Sequence, residues 1–224
     1  MISKTRMQNF VKEFRVDEVA AGLREKPALL KYRDERGRNW LHLCASVNVS
    51  TVWSRGASKK PGVNPRDSVK LAALLLDRGI DVNAPAFKEG NWQATPLWYA
   101  VARGRNLPLA RFLLDSGSTP EHCLWAACFH EDPKTIGLLV DAGAPLEAVA
   151  EEETAMLGAV KHSKFKAVEL LLKAGANFSK LPRLPGKLGK MKADQWYFVP
   201  ANAFEPHHGL KFSFPLLMRA GNLD

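Results

Sequence analysis

The chain has 224 residues, 46% hydrophobic and 25% charged, a composition too apolar for a disordered chain and long enough for one repeat array or one ordinary domain. Three cysteines cannot form a disulfide framework, and no stretch approaches the roughly 20 apolar residues of a membrane span. The net charge of +9 is unevenly placed, with 15 Lys and Arg against 7 Asp and Glu in residues 1–70, 9 against 13 in 71–172, and 8 against 3 in 173–224, so basic ends flank an acidic middle and there is no continuous basic stripe.

Residues 1–32 are expected to form an N-terminal helical cap. Val16, Val19, Ala20 and Leu23 have helical spacing, and Pro27 opens a further turn. The start lacks the apolar core of a signal peptide, and a soluble, cytoplasmic protein is expected.

Asn39-Trp40-Leu41-His42-Leu43-Cys44-Ala45 reads as a short helix. Its partner is the leucine run 74–76, and an insertion near 49–65, carrying Trp53, Arg55, Lys59 and Lys60, separates the two. Thr95-Pro96-Leu97-Trp98-Tyr99-Ala100 opens the next helix, with Thr95 as N-cap and Pro96 in the first helical position. Cys123-Leu124-Trp125-Ala126-Ala127 and Thr154-Ala155-Met156-Leu157-Gly158-Ala159 follow in the same role. Each of these segments precedes a second leucine-rich helix that ends in glycine, at Gly79, Gly117, Gly143 and Gly175. Glycine suits that place because the chain leaves the helix through a left-handed conformation. The glycine spacings of 38, 26 and 32 residues fall in the range of helical solenoids.

Thr-Pro-Leu followed by Ala, then Leu-Leu-x-x-Gly and, after Gly79, Asp-Val-Asn-Ala, resembles the ankyrin repeat over residues 33–178. The histidine of that motif remains only as His42, with Trp98, Trp125 and Leu157 in its place elsewhere; the two tryptophans are therefore expected to be structural. The resemblance implies an all-α solenoid of about four to five helix-turn-helix repeats. Residues 179–224 depart from it and read as a basic, aromatic C-terminal extension or cap, in which 196–199 and 211–214 have strand character.

The resemblance further implies binding through hairpin tips and through exposed positions of each first helix. Carried over by position, the helix candidates are Leu43, Ser46 and Val47, then Tyr99, Ala102 and Arg103, then Ala126, Phe129 and His130, then Gly158, Lys161 and His162. The tips hold Glu35 and Arg36, then Phe87, Lys88, Asn91 and Trp92, then Glu151 and Glu152. Aromatic and arginine side chains dominate interface energetics. The expected partner-binding set is therefore Arg36, Phe87, Lys88, Trp92, Tyr99, Arg103, Phe129, His130, Lys161 and His162.

No glycine-rich phosphate loop, His-Glu-x-x-His or Cys-x-x-Cys motif occurs in the sequence. Cys123 and Cys128 read as small core residues, and Asp132 before Pro133 as a helix N-cap. No catalytic, cofactor or metal residues are expected. The functional expectation is a monomeric protein–protein interaction module or adaptor; the alternative is a polyanion binder, for nucleic acid or an acidic membrane, acting through the basic termini.

Overall fold

The computed structural model describes residues 2–49, 65–89, 92–149, 153–162 and 164–177. Most of the 49–65 insertion, Asn91, Glu151, Glu152 and the 179–224 extension lie outside this set. Within it the chain is mostly helical, and no helix is long and apolar enough to cross a membrane. The chain divides into two compact units that part between Cys123 and Leu124.

In the first unit, helices α1 (Lys4–Lys12) and α2 (Val16–Glu25) are followed by a 3-10 turn, Pro27–Lys31. Then come α3 (Trp40–Ala45), α4 (Pro65–Asp77), a β-hairpin, α5 (Pro96–Tyr99) and α6 (Leu107–Asp115). Polar side chains start these helices by accepting orphan backbone N–H groups. Ser3 accepts from Arg6, Thr95 from Trp98 and Asn106 from Leu109, each at 3.2 Å. The apolar faces close on one another: α1 packs on α2 and α3, α3 on α4 and α5, and α4 on α6. Met7, Val11, Trp40, Leu41, Leu71, Leu75, Leu97, Leu109 and Leu113 are buried there.

The tip expected at Phe87–Trp92 is a hairpin of two short strands, β1 (Lys88–Glu89) and β2 (Trp92–Gln93), antiparallel with Lys88 opposite Gln93 and Glu89 opposite Trp92. Two bonds of 2.9 Å, from the Ala86 N–H to the Ala94 carbonyl and from the Ala94 N–H to the Phe87 carbonyl, extend the ladder toward α5.

The second unit holds most of α7 (Cys123–Phe129), followed by α8 (Pro133–Asp141), α9 (Ala155–Lys161) and α10 (Phe165–Lys173). Here α10 packs on both α8 and α9, burying Ile136, Leu139, Met156, Val168 and Leu171. Asp132 caps α8 as expected, accepting from the Lys134 and Thr135 N–H groups and from the Thr135 hydroxyl.

One helix ending recurs. At Gly79, Gly117, Gly143 and Gly175 φ lies between +78° and +92°. In each case the N–H after the glycine reaches five residues back, from Ile80 to Leu75, Ser118 to Leu113, Ala144 to Leu139 and Ala176 to Leu171, while the glycine N–H reaches three back. This is the Schellman arrangement, which satisfies carbonyls the helix leaves open. After Gly79, the Asn83 side chain spans to the next such turn. Its amide nitrogen donates to the Gly117 carbonyl at 3.0 Å and its oxygen accepts from the Thr119 N–H at 2.9 Å.

The turns within helix pairs use the left-handed conformation without glycine, at Arg105 (φ +47°) and Glu131 (φ +52°). For an L-residue that conformation costs about 1–2 kcal/mol, against the roughly 0.5–1 kcal/mol of extra chain entropy that glycine loses on folding. Arg105 is exposed. Arg105→Gly is therefore expected to raise stability by up to about 1 kcal/mol, read as a higher midpoint of urea unfolding, and Arg105→Val to lower it. A lower midpoint for the glycine variant would contradict the strain argument.

Candidate functional site

Two groups of side chains form on the described surface, one in each unit. The larger borders a cavity of about 610 Å³ in the first unit, lined by Arg36, Arg38, Ser46, Phe87, Trp92, Trp98, Tyr99 and Arg103. That size falls within the range of about 300–1,000 Å³ typical of ligand sites.

A turn at residues 34–38 positions its arginines. The Asp34 carboxylate accepts the backbone N–H groups of Arg36 (3.0 Å) and Arg38 (2.9 Å) and the Arg38 Nε at 2.7 Å. Burial alone would raise the Asp34 pKa, but the Arg38 N–H and guanidinium and the Arg36 N–H outweigh it and hold the carboxyl below its ordinary range. Arg38 also lies over the Tyr99 ring, 5.8 Å from its centre. Arg36 and Arg103 are exposed, and among the described residues no carboxylate forms an ion pair with either.

Aromatic rings form a connected wall. Phe87 meets Trp92 edge-on at 6.3 Å, Trp92 meets Trp98 at 5.1 Å, and Trp98 meets Tyr99 edge-on at 5.2 Å. Trp92 and Tyr99 are buried, at 8% and 5% exposure, whereas Phe87 stands out at 36%. Trp92 and Tyr99 are thus walls of the cavity, not projecting anchors. Burial raises the Tyr99 phenol pKa, with nearby arginines opposing. The α5 helix continues into a π-helical turn, Ala100–Gly104, a form found mostly as single turns and frequently at functional sites; Arg103 rides on it.

His42 lies behind this wall, edge-on to Tyr99 at 5.5 Å. Its Nδ1 accepts the Asn39 N–H in a reciprocal capping box. Its Nε2 has no hydrogen bond of good geometry, though the Ala94 and Ala84 carbonyls are close enough to favour the charged ring. Burial dominates and lowers its pKa from 6.5 to about 4. The unfolded chain then binds the extra proton between those values, so stability falls as pH drops through that window. A loss of about 2 kcal/mol is expected between pH 7 and pH 5. Urea unfolding at the two pH values, compared with His42→Gln, measures it; an equal loss in the variant would exclude His42 as the cause.

The second group surrounds Phe129, which is 39% exposed. Phe129 stacks on Trp125 at 5.4 Å and 9°, His162 meets it edge-on at 5.0 Å, His130 lies 5.7 Å away, and the Lys164 ammonium lies 5.6 Å from the ring centre. Trp125 is fixed by its Nε1–H donating to Glu153 at 3.1 Å, and Glu153 also pairs with Lys161. Burial would raise the Glu153 pKa; the Lys161 and Trp125 bonds outweigh it and lower it. Gly158, an expected contact position, is instead covered by the Trp125 indole, which a Cβ there would strike.

Five of the sequence-selected residues thus border one cavity: Arg36, Phe87, Trp92, Tyr99 and Arg103. Four others, Phe129, His130, Lys161 and His162, gather in the other unit. The Lys88 side chain lies outside the described set. Arg38 was not among the sequence candidates, and Trp98 and Trp125, expected to be structural from their place at the motif's histidine position, here line the cavity and support Phe129, respectively.

All three cysteines are buried. Burial pushes the Cys44 and Cys123 thiols far up and the Cys128 thiol up to about 12, which leaves them protonated and unreactive at neutral pH. Among the described residues no group of three or more His, Cys, Asp and Glu is arranged to hold a metal ion. No family model matches the chain, and no match was found among curated proteins.

Proposed function

We propose that the chain is an ankyrin-type repeat solenoid that works in the cytoplasm as a monomeric protein–protein interaction module, with the first-unit cavity as its partner-binding site and no catalysis of its own. The observation that carries this reading is that Arg36, Phe87, Trp92, Tyr99 and Arg103, drawn from three separate stretches of sequence, border one cavity. Side chains not needed for packing helices together are free to serve recognition, and arginine with aromatic residues is the combination that gives interfaces their strongest contacts. The recurring Schellman ending of the second helices supports the repeat reading.

The test is affinity purification of the tagged chain from its own cells, in moderate and high salt, beside a Phe87→Ser, Arg103→Ser double variant. Both positions are exposed, so folding is expected to survive and is checked by circular dichroism. A protein retained in high salt by the wild type and lost by the variant is the expected result. Recovery of the same proteins by both forms would sink the cavity as the site. Nucleic acid that co-purifies and is lost in high salt would point to the basic ends.

A further inference from the structure

We propose that the cavity takes an acidic segment of the partner protein, in which two carboxylates pair with Arg36 and Arg103 and an apolar side chain between them packs against Phe87 and Trp98. The proposal rests on the interaction-module reading and adds the chemistry of what is bound.

The charge balance carries the argument. Three of the eight lining residues are arginines. Asp34, in the same turn as Arg36, is already engaged by Arg38 and by two backbone N–H groups of that turn. Arg36 and Arg103 border the cavity, and among the described residues no carboxylate forms an ion pair with either. A guanidinium presents a planar fork of donors that matches a carboxylate with two parallel bonds.

The two open guanidiniums belong to separate elements, the 34–38 turn and the π-helical turn after α5. They suit two spaced anionic groups on one chain better than a single compact ion. The aromatic wall favours a peptide over a single-stranded nucleic acid. Nucleic acid needs open ring faces on which bases can stack, and here Trp92 is buried among Phe87, Trp98 and His122. Phe87, 36% exposed, and the half-buried Trp98 remain to receive an aliphatic side chain.

The experiment uses the full chain and a fluorescein-labelled, capped peptide, Glu-Asp-Leu-Glu-Asp, against its uncharged twin, Gln-Asn-Leu-Gln-Asn, by fluorescence anisotropy in low and high salt. The acidic peptide is expected to bind at least about tenfold tighter than the twin, since two guanidiniums each meet a carboxylate in it and none in the twin. The advantage should shrink in high salt. Arg36→Gln with Arg103→Gln should abolish it, whereas Lys134→Gln, at an exposed lysine of the other unit, should leave it intact. Phe87→Ser should weaken both peptides alike. Thermal unfolding of each variant confirms that these surface changes leave the fold in place.

Equal affinity for the two peptides overturns the proposal, as does binding of neither, displacement by inorganic phosphate at the concentration of peptide required, or tighter binding of an oligothymidylate of matched charge. A photo-crosslinking residue in place of Phe87, used in native lysate, separates this failure from failure of the wider reading. A specific protein crosslinked equally with and without the two arginines would leave an interaction module and remove the acidic ligand. No crosslink from the wild-type arginines would sink the module reading itself.

Discussion

Trp40→Ala is expected to destabilise the chain by about 4 kcal/mol, the middle of the range for emptying a buried aromatic site. Trp40 is wholly buried, stacks on Tyr32 with 4.0 Å between ring centres, and donates its Nε1–H to the Leu29 carbonyl at 2.7 Å. The indole thereby joins the 3-10 turn to the first residue of α3. Alanine would leave a void and remove one of the two donors on the Leu29 carbonyl, which keeps the Tyr32 N–H at 3.0 Å, so the void is the larger part of the cost. Trp40→Phe keeps most of the volume and loses only the bond, so it should cost about 0.5–1.5 kcal/mol. Urea unfolding followed by far-ultraviolet circular dichroism measures both. Equal midpoints for the two variants would mean that the void closes by collapse and that the hydrogen bond is the whole effect.

Gly104→Ala is expected to cost about 3 kcal/mol, at the upper end of ordinary overpacking. A Cβ at Gly104 would overlap the Ala45 carbonyl oxygen, at the end of α3. The obstacle is backbone and cannot rotate away as a flexible side chain would. The comparison is Gly137→Ala, in the interior of α8, where an added Cβ meets nothing within 4 Å. There alanine should stabilise by about 0.5–1 kcal/mol through its better helix propensity. The same substitution is thus expected to have opposite signs at two helical glycines. Because Gly104 ends the turn that carries Arg103, Gly104→Ala should also weaken the acidic peptide; unchanged binding in a folded variant would show that the arginine tolerates movement of its turn.

The sequence foretold the features that depend on a few neighbouring residues. Thr95 before Pro96 and Asp132 before Pro133 cap helices because their side chains reach N–H groups two or three residues on. The four glycines take positive φ at helix ends for an equally local reason. The cavity was legible only in parts. Arg36, Phe87, Trp92, Tyr99 and Arg103 were each marked by residue type and position, but nothing local says that the hairpin brings Trp92 against Trp98. Trp98, expected to be structural, is half-buried and lines the cavity. Arg38 was missed because its place depends on the closed Asp34 turn, and the π-helical turn under Arg103 has no periodic signature of its own. At Gly158 the spacing marked an open position, and a tryptophan 33 residues earlier in the chain covers it.

The Asn83 side chain has a consequence of a different kind. With its nitrogen on the Gly117 carbonyl and its oxygen on the Thr119 N–H, it stands in for a peptide group of a strand that is not there. The Thr119 amide is therefore protected from solvent by a single rotatable side chain. Its hydrogen should exchange whenever Asn83 swings away, by an opening of one torsion and not of the whole unit. Aspartate in its place would still accept from Thr119 but would set a negative charge against the Gly117 carbonyl, leaving half of the clasp. The tie between these two turns is thus an on-off contact whose lifetime one side chain sets, while the helices on either side stay closed.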